Sequence, residues 1–262
     1  MLYPSLKVER RTSRVAAHGF DRIDIWDWKK KDLPELKLGL KSSGVILNSA
    51  VANTHSSPSA AAHRKKFISE LRDSLEFARK FDCGSLIVLG EYLIPPKPGS
   101  DQSIARASPN PAPETVKHDN LVASLLEGCD LAKDFGVGLF LEALNNTTHP
   151  SYFLNSTQRT LRVVDKVRRK NLSMLYDIYH MQIAEGNVTE TMLNDLGKIG
   201  CIHFADVPGR HEPGSGELNL SFILGRLDSA RYRGPLCFEY SASGSDDLAL
   251  DSIRRAIEPY LN

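Results

Sequence analysis

Hydrophobic positions along this chain follow two rhythms. Short, nearly unbroken apolar runs occur at Arg22–Trp26, Val45–Ala52, Ser85–Leu89, Val137–Leu144, Leu172–Ile178, Cys201–Val207 and Leu236–Tyr240. Between them lie longer amphipathic stretches, such as Arg64–Phe81 and Thr115–Phe135, with the spacing of helices packed on one face. Strands without strict apolar–polar alternation are buried on both faces, which is the habit of a parallel sheet covered by helices. Gly44, Gly84, Gly136 and Gly200 each stand just before such a run, and the pattern predicts that each ends the preceding helix.

Seven strands separated by helices fit either an open doubly wound sheet or a closed barrel. No Gly-x-Gly-x-x-Gly follows the first strand, so the dinucleotide form of the open sheet loses its main support. The expectation is one α/β domain over residues 1–262, a (β/α)8 TIM barrel. Lys7–His18 reads as a helix ending at Gly19, and Met1–Leu6 is short and interrupted by Pro4. The barrel's first strand is therefore expected to be missing or truncated.

Residues 91–113 break the rhythm. Six of the fourteen prolines fall there, which excludes a helix or a central strand and suggests a lid at the rim. Composition narrows the function classes. The chain is 41% hydrophobic with a formal net charge of +1, so no basic excess points to nucleic acid or an anionic membrane. The basic clusters Arg64-Lys65-Lys66 and Arg168-Arg169-Lys170 read as solvated helix faces. No apolar run reaches the ~18 residues of a membrane span. Four scattered cysteines, Cys83, Cys129, Cys201 and Cys237, form no Cys-x-x-Cys pair and fit reduced thiols in a cytoplasmic protein.

Parallel barrels place chemistry at the C-terminal ends of their strands. Four successive strands each deliver one ligand-type residue there: Glu142, Asp177, His203 and Glu239. A carboxylate inside an apolar strand is costly unless compensated, and the sequence shows no matching buried cation nearby. A divalent cation resolves the repulsion of three converging carboxylates. Three oxygens and one imidazole make a mostly hard site, suited to Mg²⁺, Mn²⁺ or Co²⁺. Cys201 and Cys237 lie two residues before His203 and Glu239, one layer deeper on the same strand face, and read as small core fillers.

The motifs Glu142-Ala143-Leu144-Asn145, Tyr176-Asp177-Ile178-Tyr179-His180-Met181-Gln182 and His203-Phe204-Ala205-Asp206-Val207-Pro208-Gly209-Arg210-His211-Glu212-Pro213 together resemble the hydroxypyruvate isomerase family, among the xylose-isomerase-like barrels. The resemblance runs from about Gly19 to Glu239. It implies one divalent metal held by Glu142, Asp177, His203 and Glu239, with Glu142 and Glu239 also serving as the proton-transferring pair. It further implies a small hydroxy-keto acid or sugar-like substrate and a homo-oligomer. Two departures stand out: the position of His203 is often Gln in the family, and the proline that commonly follows the first Glu is Ala143 here.

Arg210 suits a substrate carboxylate, His180 a donor to a substrate oxygen, and Trp26 and Trp28 the pocket wall. Glu217 is expected to hold Arg210 or His211 in place. The expected reaction interconverts hydroxypyruvate and tartronate semialdehyde. A ketose 3-epimerase, a 2-oxo-tetronate isomerase or a biosynthetic isomerase or dehydratase would use the same groups. An endonuclease-like DNA-repair barrel, disfavoured by the near-neutral charge, and a catalytically inactive binding barrel are the remaining alternatives.

Overall fold

The structure, a computed structural model, describes residues 2–97, 99–101 and 104–260. Met1, in the predicted broken strand, and Pro98, Gln102 and Ser103, in the proline-rich stretch, lie outside the described residues.

Nine strands form among the described residues: β1 (Arg22–Ile25), β2 (Ile46–Val51), β3 (Ser85–Leu89), β4 (Leu93–Ile94), β5 (Arg106–Ala107), β6 (Gly138–Glu142), β7 (Leu172–Asp177), β8 (Ile199–Phe204) and β9 (Leu236–Phe238). Nine α-helices alternate with them among the described residues: α1 (Val8–Ala17), α2 (Leu33–Ser43), α3 (Arg64–Lys80), α4 (Glu114–Asp134), α5 (Thr157–Val167), α6 (Ile178–Ala184), α7 (Val188–Asn194), α8 (Leu220–Ser229) and α9 (Asp246–Ile257). Seven strands make one parallel sheet in the order β1-β2-β3-β6-β7-β8-β9. This is the βα pattern read from the sequence, with each strand boundary within about three residues of expectation.

The sheet curls into a nearly closed barrel. Among the described residues no strand joins β9 to β1, and Leu2–Leu6 form none. The two ends still meet through side chains inside: His203 Nε2 on β8 lies 3.3 Å from Asp24 Oδ2 on β1, and Asn48 Nδ2 on β2 lies 3.5 Å from Cys237 Sγ on β9. Outside, the first residues bind the last helix. The Tyr3 N–H donates to Asp246 Oδ2 at 2.8 Å and the Tyr3 hydroxyl to Asp247 Oδ1 at 2.5 Å. His18 spans Asp251 at 2.6 Å and Asp247 at 3.0 Å.

Two apolar clusters fill the layers. One joins β2, β3 and β6 to α3 and α4 through Phe67, Leu71, Leu75, Leu86 and Leu125. The other joins β7 and β8 to α6, α8 and α9 through Met174, Ile202, Ile223 and Ile253. Full burial of each such side chain contributes roughly 1.5–3 kcal/mol.

The four glycines divide. Gly44 (φ 72°) caps α2 as predicted, and Gly136 (φ 70°) sits in the left-handed region just after α4. Gly84 is no cap: α3 ends at Lys80, and Asp82 (φ 51°) takes the left-handed turn. Gly200 lies within β8, because a Cβ there would stand 2.1 Å from Ser173 Oγ and 2.6 Å from the Phe140 ring. Close approach of neighbours, not helix termination, selects glycine at 200.

The proline-rich segment forms a two-stranded antiparallel ribbon, β4 with β5. Its base is fastened to the loop after β6 by Ala105 N–H to Thr148 O (3.1 Å) and Ala107 N–H to Pro150 O (3.0 Å). Buried Glu91 at the start of the segment accepts the Phe153 N–H at 2.5 Å.

Gly200→Ala is expected to lower the urea midpoint, by about 1–3 kcal/mol in stability, through overpacking between β6, β7 and β8. An unchanged midpoint would show that Ser173 and Phe140 yield without cost.

Candidate active site

Glu142 and Asp177 are the last residues of β6 and β7, so the end of each strand projects its carboxyl group from the barrel rim. His203 is the fifth residue of β8. Glu239 follows β9 directly, and its N–H to Phe204 O (3.1 Å) extends the ladder by one residue. The fold gathers all four: one ligand atom from each lies within 4.8 Å of every other. Glu142, Asp177 and His203 are buried, while the Glu239 side chain is 38% exposed and opens the group to solvent.

The sequence misled on one point, the supply of cations. Arg210 reaches into the group, its Nη2 lying 3.1 Å from Glu239 Oε2 and 3.3 Å from Asp177 Oδ2. Its guanidinium also lies over the Tyr179 ring, 5.2 Å from the centroid. The carbonyl-rich loop after β8 delivers it there. Buried Asp206 accepts the N–H groups of Val207 (2.9 Å), Gly214 (2.8 Å) and Leu218 (3.0 Å), folding the loop around its carboxylate. Gly216 must be glycine, since a Cβ would stand 2.2 Å from Val207 O. Gly209 and Arg210 both adopt positive φ, turning the chain back toward β9.

Further bonds pin the loop to residues 241–243. Ser241 N–H donates to Arg210 O (2.9 Å), His211 Nδ1 meets Ser241 O (2.8 Å), and Glu212 accepts both the N–H and hydroxyl of Ser243 (2.9 and 2.6 Å). Glu212, not Glu217, therefore fixes this loop. Glu217 instead lines a cavity of about 360 Å³ with Gln182, Asn187 and Phe222.

The electrostatics split the two glutamates. Burial, joined by the charge of Glu239, pushes Glu142 up to about 8. Burial works against ionising Glu239 as well, but the Arg210 and His203 charges overcome it and hold this group at about 2. Asp177 is raised by burial against the pull of Arg210. His203 is raised despite burial, with Asp24 on one side and Glu239 on the other. Its Nδ1 stands 3.0 Å from Glu239 Oε2, and its Nε2 is within ion-pair range of Asp24 but makes no aligned hydrogen bond.

His180, in the first turn of α6, is wholly buried beside the group. Its Nδ1 faces the Asn145 N–H at 3.3 Å and the Asn145 side-chain amide at 2.7 Å. Accepting there leaves the ring proton on Nε2, which points toward Asp177 Oδ2 at 3.6 Å. Burial and the nearby Arg210 charge hold the ring neutral. His149 packs edge-on against it, centroids 5.1 Å apart. Trp26 directly follows β1, 39% exposed. Trp28 leaves the rim, stacking on Phe77 at 4.5 Å and donating from its indole N–H to Ser74.

Sequence reading missed Asp24, whose Oδ1 accepts from Asn48 (2.8 Å) and Ser49 (2.7 Å) while its Oδ2 faces His203. The signal was present: Ile23-Asp24-Ile25 places a carboxylate in an apolar strand, as at Glu142, Asp177 and Glu239.

A divalent cation fits the donors present. Three carboxylates and an imidazole within 4.8 Å supply the hard oxygen set and one nitrogen such an ion prefers.

The sequence profile of the xylose isomerase-like TIM barrels matches residues 13–259. The chain is 28% identical over 255 residues to 2-oxo-tetronate isomerase of Pectobacterium atrosepticum, covering 94% of this chain and 91% of that protein. It is 34% identical over 143 residues to hydroxypyruvate isomerase of Escherichia coli, covering 55% of this chain and 54% of that protein. In three dimensions it superposes on the crystal structure of an AP endonuclease, family 2, from Brucella melitensis with a TM-score of 0.84 at 22% identity, covering 100% of this chain and 96% of that one. That likeness concerns the fold. Among the described residues, no helix is long and apolar enough to cross a membrane.

The two shifted glutamates give opposite pH slopes in protein stripped of metal. Glu142, raised from the ordinary 4.5 to about 8, stabilises most below pH 4.5, and that contribution is lost as pH rises through 8. Glu239, lowered to about 2, contributes above pH 4.5 and loses its contribution as pH falls toward 2. Urea midpoints of the stripped protein are expected to fall between pH 5 and 8, and Glu142→Gln is expected to flatten that decline. A slope unchanged in Glu142→Gln would assign it elsewhere.

Proposed function

This chain belongs to the xylose isomerase-like TIM barrel family, and we propose that it is a metal-dependent isomerase of small hydroxy-keto acids. The substrate pair we assign is hydroxypyruvate and tartronate semialdehyde. The observation that carries the reading is the glutamate pair: Glu142 and Glu239 occupy one site with their proton affinities driven apart. Such divergence is how one site supplies both a proton acceptor and a proton donor. The named isomerase relatives support the substrate class.

Isomerisation moves the carbonyl between adjacent carbons of a three-carbon acid. Glu239, ionised and half open to solvent, takes the proton from the hydroxymethyl carbon. Glu142, the other member of the pair, delivers one to the neighbouring carbon, and a hydroxyl proton passes between the two oxygens. His180, neutral with its proton on Nε2, donates to a substrate oxygen during that exchange. Glu142, Asp177, His203 and Glu239 would hold the metal, which when bound acidifies the carbon and stabilises the enediolate charge. The ion is Mg²⁺ or Mn²⁺, with Co²⁺ as the further candidate for this donor set.

Arg210 anchors the substrate carboxylate. Its Nη2 is engaged by Asp177 and Glu239, but its buried Nε has no hydrogen-bond partner and remains available as a donor. Trp26 lines the rim above it as the pocket wall. Residues 1–262 act as a single barrel domain, assembled as a homo-oligomer.

The 2-oxo-tetronate isomerase relative, matched across 94% of this chain, favours one second reading, a four-carbon acid of the same type. A ketose 3-epimerase differs in having a neutral substrate.

Solvent-deuterium incorporation at substrate carbon is expected to require metal and to fall about 10²–10⁴-fold in Glu239→Gln with metal content unchanged. Undiminished exchange in that variant would remove Glu239 from the proton transfer. Arg210→Ala is expected to lower kcat/KM about 100-fold for a keto acid while sparing a neutral ketose. Equal losses on both would show that Arg210 serves the site, not the substrate's charge.

A further inference from the structure

Beneath the carboxylate group lies a second constellation with different chemistry. Cys201 on β8, Cys237 on β9 and His203 each offer a donor atom within 4.8 Å of the other two. Strand geometry explains the grouping: Cys201 and His203 are two residues apart and so share a face, and His203 pairs with Cys237 across the ladder. The thiols are free, Cys201 buried and Cys237 partly exposed beside the unpaired edge of β9. Both pack with the apolar core as small fillers do, and Cys237 Sγ also meets the Asn48 amide, with Asp24 across the seam.

His203 is 2% exposed, and its Nε2 makes no aligned hydrogen bond, standing 3.3 Å from Asp24 Oδ2. Its other nitrogen is already committed, with Nδ1 3.0 Å from Glu239 Oε2. A carboxylate that holds one imidazole nitrogen is the usual way a protein aims the other at a metal.

We propose that Cys201, Cys237 and His203 Nε2 form a separate site for a thiophilic divalent cation such as Zn²⁺. Two sulfurs and one nitrogen are soft donors, unlike the oxygen-rich group above, and they select zinc over magnesium or manganese. Binding releases to solvent the proton of each thiol and the Nε2 proton of His203, and two thiolates balance the charge of the ion. The unpaired side of β9, where Cys237 is partly exposed, gives the ion a way in. One imidazole then stands between two sites of contrasting hardness, so the metals are sorted by donor chemistry within one barrel.

Cobalt reports the difference directly, because only thiolate ligation gives an intense sulfur-to-metal charge-transfer band in the near ultraviolet. Titrating the full-length protein with Co²⁺ is expected to raise that band in wild type, to abolish it in Cys201→Ser and in Cys237→Ser, and to leave it intact in Glu142→Gln and Cys83→Ser. Absence of the band in wild type, or its persistence in both serine variants, overturns the site. A second measurement needs no variant: Zn²⁺ is expected to slow alkylation of Cys237 at least tenfold, read by mass spectrometry, and an unchanged rate overturns the site equally. Neither readout depends on turnover, so failure here is distinct from failure of the isomerase reading.

Discussion

Three carboxylates and an imidazole brought within 4.8 Å of one another set the terms for the rest of this barrel. Ionised together in a buried rim they repel, and each must find a cation, a proton or water. The structure uses the first two. Arg210 bridges Asp177 and Glu239, and Glu142 keeps its proton. The loop that carries Arg210 is built accordingly, around a buried Asp206 that accepts three backbone N–H groups and a second acid, Glu212, that ties it to the segment after β9. The need for compensation at one point thus shapes the whole loop from Asp206 to Leu218.

Much of this was legible in the chain. Apolar runs gave seven strands, and the same test, a charged residue at the end of such a run, found Glu142, Asp177, His203 and Glu239. It failed where the signal was not local. Arg210 lies 33 residues beyond Asp177, and nothing in a single sequence says that a loop arginine turns inward to meet it. Asp24 was overlooked because it sits inside β1 instead of at its end. Gly200 resembled a cap because glycine before a strand has two physical causes, a left-handed turn and a crowded neighbour, and the sequence does not separate them. The cysteines read as filler because softness matters only once the partners are adjacent.

Two kinds of donor stack along the same pair of strands. The rim layer is oxygen-rich, and the layer beneath it carries sulfur, with His203 common to both. Alternation along β8 and β9 makes this economical: residues two apart share a face, so a few side chains define two chemical environments without any extra element.

The seam between β9 and β1 has a bearing on how the protein comes to exist. Tyr3 binds Asp246 across 243 positions, and Asp24 faces His203 across the barrel interior. Contacts of such separation repay their loop-closure entropy only after the intervening chain has folded. Contacts across the seam thus depend on both halves of the fold being in place, whereas the four rim donors, carried on β6 to β9, are gathered by one half alone.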